Sequence, residues 1–185
     1  MTPVTARLPR SAQPDTAAPL LRTARLTLRL PDARDLDAYA AFFADAQASH
    51  FYGGPLRRDQ AFGVLCRDIG HWSLRGYGKF AVTRNGATIG GCGIVHPDGW
   101  PGRELTWWLL PDARGQGLAR EASVAVLAWA RDALASAEVE THFRDDNDAA
   151  LRLTRSLGGR RLRRAVFPDG VARDIHAIPT DGVAA

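Results

Sequence analysis

Residues Glu104–Ala122 read ELTWWLLPDARGQGLAREA and contain the side chains best suited to holding an anion. A strand expected to end at Leu110 gives way to a short connection, and two glycines lead into an amphipathic helix. Such a junction presents backbone N–H groups without intrahelical partners at the positive end of a helix dipole. Gly115 and Gly117 have no Cβ to keep an anion at a distance, while Arg114 and Arg120 add charge on either side. A phosphate is the natural occupant. A helix that simply begins after glycine would carry the same letters, and spacing alone does not separate the two.

Other phosphate and metal chemistries fit less well. A dinucleotide fingerprint fails because Arg120 stands at the third glycine position, Pro111–Arg114 intervene between strand and loop, and several strands precede the motif. A Walker A loop fails for want of its Gly-Lys-Ser/Thr ending. His50, His71, His96, His142 and His176 are scattered without metal-ligand spacing, so no metal is expected. Asp145, Asp146 and Asp148 flank Asn147 as the cap and acidic first turn of a helix, not as a calcium loop. No Gly-x-Ser-x-Gly elbow is present, and Cys66 and Cys92 lie in no nucleophile motif; both are expected to be reduced, buried packing residues.

Length and composition bound the rest. With 185 residues and 20.1 kDa, the chain suits one domain, and 45% hydrophobic with 24% charged residues is ordinary for a globular protein. Folding at this size buries roughly 70% of the unfolded surface, so no disulfide or metal staple is needed. No window reaches the ~18 uncharged apolar residues of a membrane span, and Arg7 and Arg10 precede no apolar signal segment. Cytoplasmic residence without membrane attachment is therefore expected. Of the 24 basic residues only Lys79 is a lysine, and the net charge is +4. The densest cluster, Arg160–Arg164, alternates with Leu162 as an exposed strand face, and no basic stripe with interleaved aromatics suggests nucleic acid.

The elements that must position the glycine loop follow from periodicity. Residues 1–18 form an expected flexible tail, 19–179 one domain and 180–185 a short C-terminal tail. Alternation predicts a strand at Arg25–Leu30; helices follow at Ala33–Ala46 (Leu36, Tyr39, Ala40 and Phe43 inward) and Arg58–Leu74 (Phe62, Leu65, Ile69 and Trp72 inward). Asn85-Gly86 predicts a hairpin between Lys79–Arg84 and Thr88–His96. A strand at Arg103–Leu110, a helix at Gly117–Ala135, a strand at Val139–Phe143, a helix at Asn147–Leu157 and strands at Arg160–Phe167 and Ala172–Ile178 complete the order. The order β-α-α-β-β-β-α-β-α-β-β implies an α/β fold with a mixed sheet covered by helices on both faces. The five tryptophans are expected in the core, except that alternation lets Trp107 or Trp108 line a pocket.

Two blocks carry a family resemblance. Arg114-Gly115-Gln116-Gly117-Leu118-Ala119 is similar to the [Q/R]-x-x-G-x-[G/A] loop of the GNAT N-acetyltransferase superfamily, and Asn147–Gly159 (NDAALRLTRSLGG) resembles its N-x-x-[A/S] segment about 30 residues downstream. RTARLTLR near the start, Gly70-His71-Trp72 and Gly76–Val82 look like the Rim-type branch, which includes ribosomal-protein N-terminal acetyltransferases. The resemblance spans about Leu20–Ile178. It implies the GNAT fold, with a central, mostly antiparallel twisted sheet of about seven strands.

By that resemblance the chain is an acetyl-CoA-dependent N-acetyltransferase acting by direct attack on an amine, without metal. Gly115–Arg120, including Gln116, Gly117, Leu118 and Ala119, would hold the acetyl-CoA pyrophosphate, and Trp107, Trp108 and Leu109 would pair with the pantetheine arm. An N–H near Trp108 or Leu109 would stabilise the developing oxyanion. Asn147 would bond the pantetheine or the region of the attacking amine, and Glu104 matches the strand glutamate that acts as general base. The motif position for the acid tyrosine is Thr154, and Ala150 replaces the Rim-type serine, so no acid is assigned; Tyr52, Tyr77 and His71 qualify by type alone. Phe51–Pro55 lies where the family builds acceptor contacts, although a glycine-rich turn is an equal reading. The acceptor implied is a protein N-terminus or a small amine, the assembly a monomer or homodimer, and the competing reading a non-catalytic acyl-CoA-binding module.

Overall fold

A computed structural model describes residues 18–181; the expected N-terminal tail, except Ala18, and residues 182–185 lie outside the described residues. The chain forms β1 (Leu21–Arg22), β2 (Thr27–Arg29), α1 (Leu36–Ala44), α2 (Ala46–Ser49), α3 (Arg58–Arg75), β3 (Lys79–Arg84) and β4 (Ala87–Val95). There follow β5 (Glu104–Leu109), α4 (Leu118–Leu134), β6 (Glu138–His142), α5 (Asp148–Ser156), β7 (Arg160–Val166) and β8 (Ala172–Pro179). They build an eight-stranded sheet in the order β1-β2-β3-β4-β5-β6-β8-β7, antiparallel except where β5 meets β6. The strand beyond the expected seven is the two-residue β1, too short to show a period.

Local chemistry explains the boundaries. The helix expected over Ala33–Ala46 is split. A 3-10 turn at Ala33–Asp35, closed by reciprocal Asp32 and Asp35 capping, precedes α1. Asp45 then turns to an extended ψ of 111° and caps α2 by accepting from the Gln47 and Ala48 amides. Asn85 and Gly86, at φ 53° and 82°, make the expected β3–β4 hairpin with both central residues left-handed. Thr180, placed in the C-terminal tail by its sequence, is buried and donates from Oγ1 to the Ser136 and Ala137 carbonyls.

The sheet separates two cores. One face carries Phe80, Val82, Cys92, Ile94, Leu105 and Leu109 against Leu118, Ala122, Val126 and Leu127 of α4. Trp108 leads the other face, packed with Tyr39, Phe42 and Phe43 of α1 and Leu65 of α3. Period-two alternation along β5 thus sends the adjacent indoles of Trp107 and Trp108 to different cores. Gly91 makes room for this: a Cβ there would stand 2.5 Å from Trp108 Nε1. Two inward expectations fail. Phe62 is 51% exposed because α3 turns Ala61, Leu65 and Asp68 toward α1, and Cys66 on the same helix is exposed while Cys92 is buried. Arg160–Arg164 lie on the edge strand, answered by Glu138, Asp174, Glu140 and Asp145, and such charge keeps an open edge from pairing with other chains.

Candidate active site

Parallel strands β5 and β6 pair at a single register, Glu104 opposite Glu140. Glu140 N–H donates to Arg103 O at 2.9 Å and Thr141 Oγ1 to Leu105 O at 3.0 Å, after which the strands part. Since Leu105 turns its carbonyl to this edge, alternation turns Trp107 and Leu109 the same way. Their N–H groups have no strand opposite them, whereas the Trp108 amide faces β4. Of the two oxyanion donors expected from sequence, the Leu109 N–H lies on the open edge and the Trp108 N–H does not.

Two cavities meet along this split. The first, about 390 Å³, is lined by Glu104, His142, Trp100 and Trp107, with charged residues from α3, β3, β8, the loop after β6 and the β7–β8 turn. Glu104 Oε2 stands 3.0 Å from His142 Nε2, ion-pair distance for a protonated ring, though the alignment falls short of a hydrogen bond. Both side chains are nearly buried, and Trp100 stacks on the imidazole at 5.1 Å. A carboxylate so placed can take a proton from an ammonium entering the cavity.

The second cavity, about 330 Å³, is lined by Trp107, Trp108, Leu109, Arg114, Gly115, Gly117, Leu118, Ala119, Arg120 and Asn147. Gly115 and Gly117 have φ of 71° and 74°, a region that costs an L side chain strain. Gly117 is the N-cap of α4 and supplies no side-chain cap, so the first amides of that helix face the cavity mouth without one. Arg114 and Gln116 brace the loop. Arg114 Nε donates to Leu109 O at 3.0 Å, Gln116 Nε2 donates to Asp112 O at 2.7 Å, and Arg84 donates to Gln116 Oε1 at 2.8 Å. Arg25 ties the loop to α4, reaching Gln116 O at 2.9 Å and Glu121 at 2.6 Å. These residues fit acetyl-CoA: an uncapped helix start for phosphate, and an unpaired strand edge for an amide-bearing arm.

The structure thus gathers every candidate cofactor residue except Gln116 around one cavity and sets Glu104 in its neighbour. Asn147 lines both, with its Oδ1 accepting from Ala150 N at 3.1 Å as the cap of α5. Thr154 lines neither; its hydroxyl is buried without a partner among the described residues. Among the acid candidates, Tyr77 and His71 line neither cavity, and the His71 Nδ1 lies 2.6 Å from the main-chain carbonyl oxygen of Tyr77. Tyr52 alone reaches the split, where its hydroxyl donates to Trp107 O and lines both cavities. The residue is 36% exposed overall, yet burial of its hydroxyl end, with Glu104 nearby, pushes the phenol well above its usual range. Phe51 and Gly53 join it along the first cavity; Gly54 and Pro55 do not. His142 was not singled out from sequence, because only the β5–β6 pairing brings it beside Glu104.

Comparison with known proteins supplies the frame for this geometry. Residues 25–160 match the family model described as an acetyltransferase (GNAT) domain. An acetyltransferase from Agrobacterium tumefaciens is 31% identical, with a TM-score of 0.79 over 88% of this chain and 95% of that one. A GNAT-family acetyltransferase from Bordetella pertussis is 27% identical, with a TM-score of 0.72 over 86% and 99%. RimL, a ribosomal L7/L12 alpha-N-protein acetyltransferase solved in complex with coenzyme A, shares the fold at 14% identity and a TM-score of 0.71, over 87% and 98%. With most of its length matched and its glycine loop at the mouth of a split sheet, the chain belongs to the GNAT acetyltransferase family.

Proposed function

We propose that the chain moves an acetyl group from acetyl-CoA to the amine of an acceptor, a protein N-terminus or a small molecule, in a ternary complex. The observation that carries this is the junction of the two cavities at Trp107 and Asn147, with Glu104 on one side and the glycine loop on the other. The acetyl thioester bound in the second cavity supplies the carbonyl carbon that is attacked; the new C–N bond replaces the C–S bond, and CoA leaves as a thiolate that takes its proton from solvent. Glu104 takes the ammonium proton, with the His142 ring nitrogen 3.0 Å from its carboxylate. The Leu109 N–H faces the position where the carbonyl oxygen gains charge, a contribution of roughly 3–4 kcal/mol for such donors. Among the described residues lining the two cavities there is no cysteine or serine to accept the acyl group, so attack is direct. The buried Thr154 hydroxyl and Ala150 favour a second reading, an acyl-CoA-binding module without turnover.

Thermal unfolding with acetyl-CoA, CoA and NAD(H), followed by an amine screen with Glu104→Gln, separates the two. At ~100 Kd a ligand specific for the folded state adds about 2.7 kcal/mol, several degrees at this size. A rise with both CoA species and not with NAD(H) is expected, with Glu104→Gln lowering turnover by ~10²-fold or more at unchanged acetyl-CoA affinity. Unchanged turnover would remove Glu104 from the chemistry, and absence of any CoA effect would remove the loop assignment.

A further inference from the structure

The first cavity has a charge balance that the transfer reaction alone does not explain. Four cations line it, Arg67, Lys79, Arg144 and Arg173, against three carboxylates, Asp68, Glu104 and Asp169. None of the four borders the second cavity, so they are not part of the phosphate-facing loop. Two pairs cancel: Lys79 Nζ lies 2.9 Å from Asp68, and Arg173 bonds Asp169 through both terminal nitrogens. Arg67 and Arg144, both exposed, have no carboxylate at ion-pair distance among the described residues, while Glu104, the cavity's remaining acid, has the His142 ring 3.0 Å away.

An acceptor arriving as an ammonium neutralises Glu104 and leaves both guanidinium groups uncompensated. Both guanidinium groups are exposed, so solvent screens that repulsion, but it still disfavours an acceptor that brings positive charge alone. An amine bearing a negative charge restores the balance, and the guanidinium fork matches a carboxylate or phosphate oxygen pair. A volume of about 390 Å³, bounded by Phe51–Gly53 and by Asp169 of the β7–β8 turn, suits a small molecule.

Resting on the transfer reading above, we propose that the acceptor is a small amine carrying its own carboxylate, phosphonate or phosphate, which Arg67 and Arg144 hold while the amine faces Glu104. The full chain, saturated with acetyl-CoA, is assayed for CoA thiol release. The acceptors are the common amino acids, their carboxamides, aminoalkylphosphonates, aminoalkyl phosphates, spermidine and short peptides with free N-termini. The expected result is at least a tenfold kcat/KM preference for an anionic amine over its uncharged partner. Arg67→Gln and Arg144→Gln should each reduce that preference by raising KM for the anionic amine, while the acetyl-CoA thermal shift persists. The carboxylate, phosphonate and phosphate arms identify the anion. Equal use of the carboxamides, preference for spermidine or peptides, or a selectivity intact in both variants overturns the proposal. So does failure of every anionic amine to react with a protein that binds acetyl-CoA. Absence of acetyl-CoA binding instead brings down the transfer reading itself.

Discussion

Asp68 offers the sharpest test of how this cavity is built. Its carboxylate, 5% exposed, accepts from the buried Tyr39 hydroxyl at 2.8 Å and sits 2.9 Å from Lys79 Nζ, whose side chain is 12% exposed. Burial and that carboxylate together push the Tyr39 phenol well above its usual range. Asp68→Asn keeps a hydrogen-bond acceptor for Tyr39 but leaves the Lys79 ammonium nearly buried without a counter-charge. Removing one member of a buried pair costs about 3–5 kcal/mol. Because Lys79 borders an open cavity, the low end applies, about 3 kcal/mol, or roughly 6–12 °C in Tm for a chain of this size. Urea unfolding by fluorescence, with an unchanged m-value, measures it. Adding Lys79→Met to Asp68→Asn removes the orphaned charge and should recover most of the loss, giving a coupling well above 1 kcal/mol in the double-mutant cycle. A single-variant loss below ~1 kcal/mol, or a double variant no more stable than Asp68→Asn, would refute the ion-pair account.

Other expectations follow from single contacts. Thr154→Val removes a buried hydroxyl with no partner among the described residues, so stability should hold or rise by about 1 kcal/mol with turnover unchanged; lost turnover would return Thr154 to the mechanism. Gly91→Ala drives a methyl into the Trp108 indole and should cost about 1–3 kcal/mol in chemical denaturation. Burial pushes the Cys92 thiol up to about 12, so the folded state resists ionising it while the unfolded chain does not. This contribution is intact below an ordinary thiol pKa and declines as pH rises above it. Iodoacetamide at pH 8 should label exposed Cys66 quickly and Cys92 only on unfolding, as read by peptide mass.

Periodicity and local chemistry were enough for most of the elements, though not for β1 or α2. The 3.6-residue repeat of α4, the Asn85-Gly86 hairpin and the Asn147 cap act over a few residues, so their letters determine them wherever they are placed. The glycine loop was legible for the same reason, since an uncapped helix start with left-handed glycines is a local property. Asp45 had no periodic signature, and its capping of a new short helix broke a continuous helical pattern. The helical period placed Phe62 inward, but the packing of α1 selects which stripe of α3 is covered, and that left Phe62 and Cys66 outside.

The composition of the site was decided by distant pairing. Glu104 and His142 lie 38 positions apart and meet because two parallel strands pair at one register before separating. Tyr52 reaches Trp107 only because Phe42, Phe43 and Trp108 fix α1 over the sheet. Lys79 and Arg173 line one cavity because the order β3-β4-β5-β6-β8 sets β3 and β8 on either side of β5, while Arg67 joins from α3 and Arg144 from the loop after β6. Sequence fixes short-range geometry through backbone dihedrals and side-chain period, whereas side chains from separate elements converge only once burial of apolar faces has selected one packing of those elements.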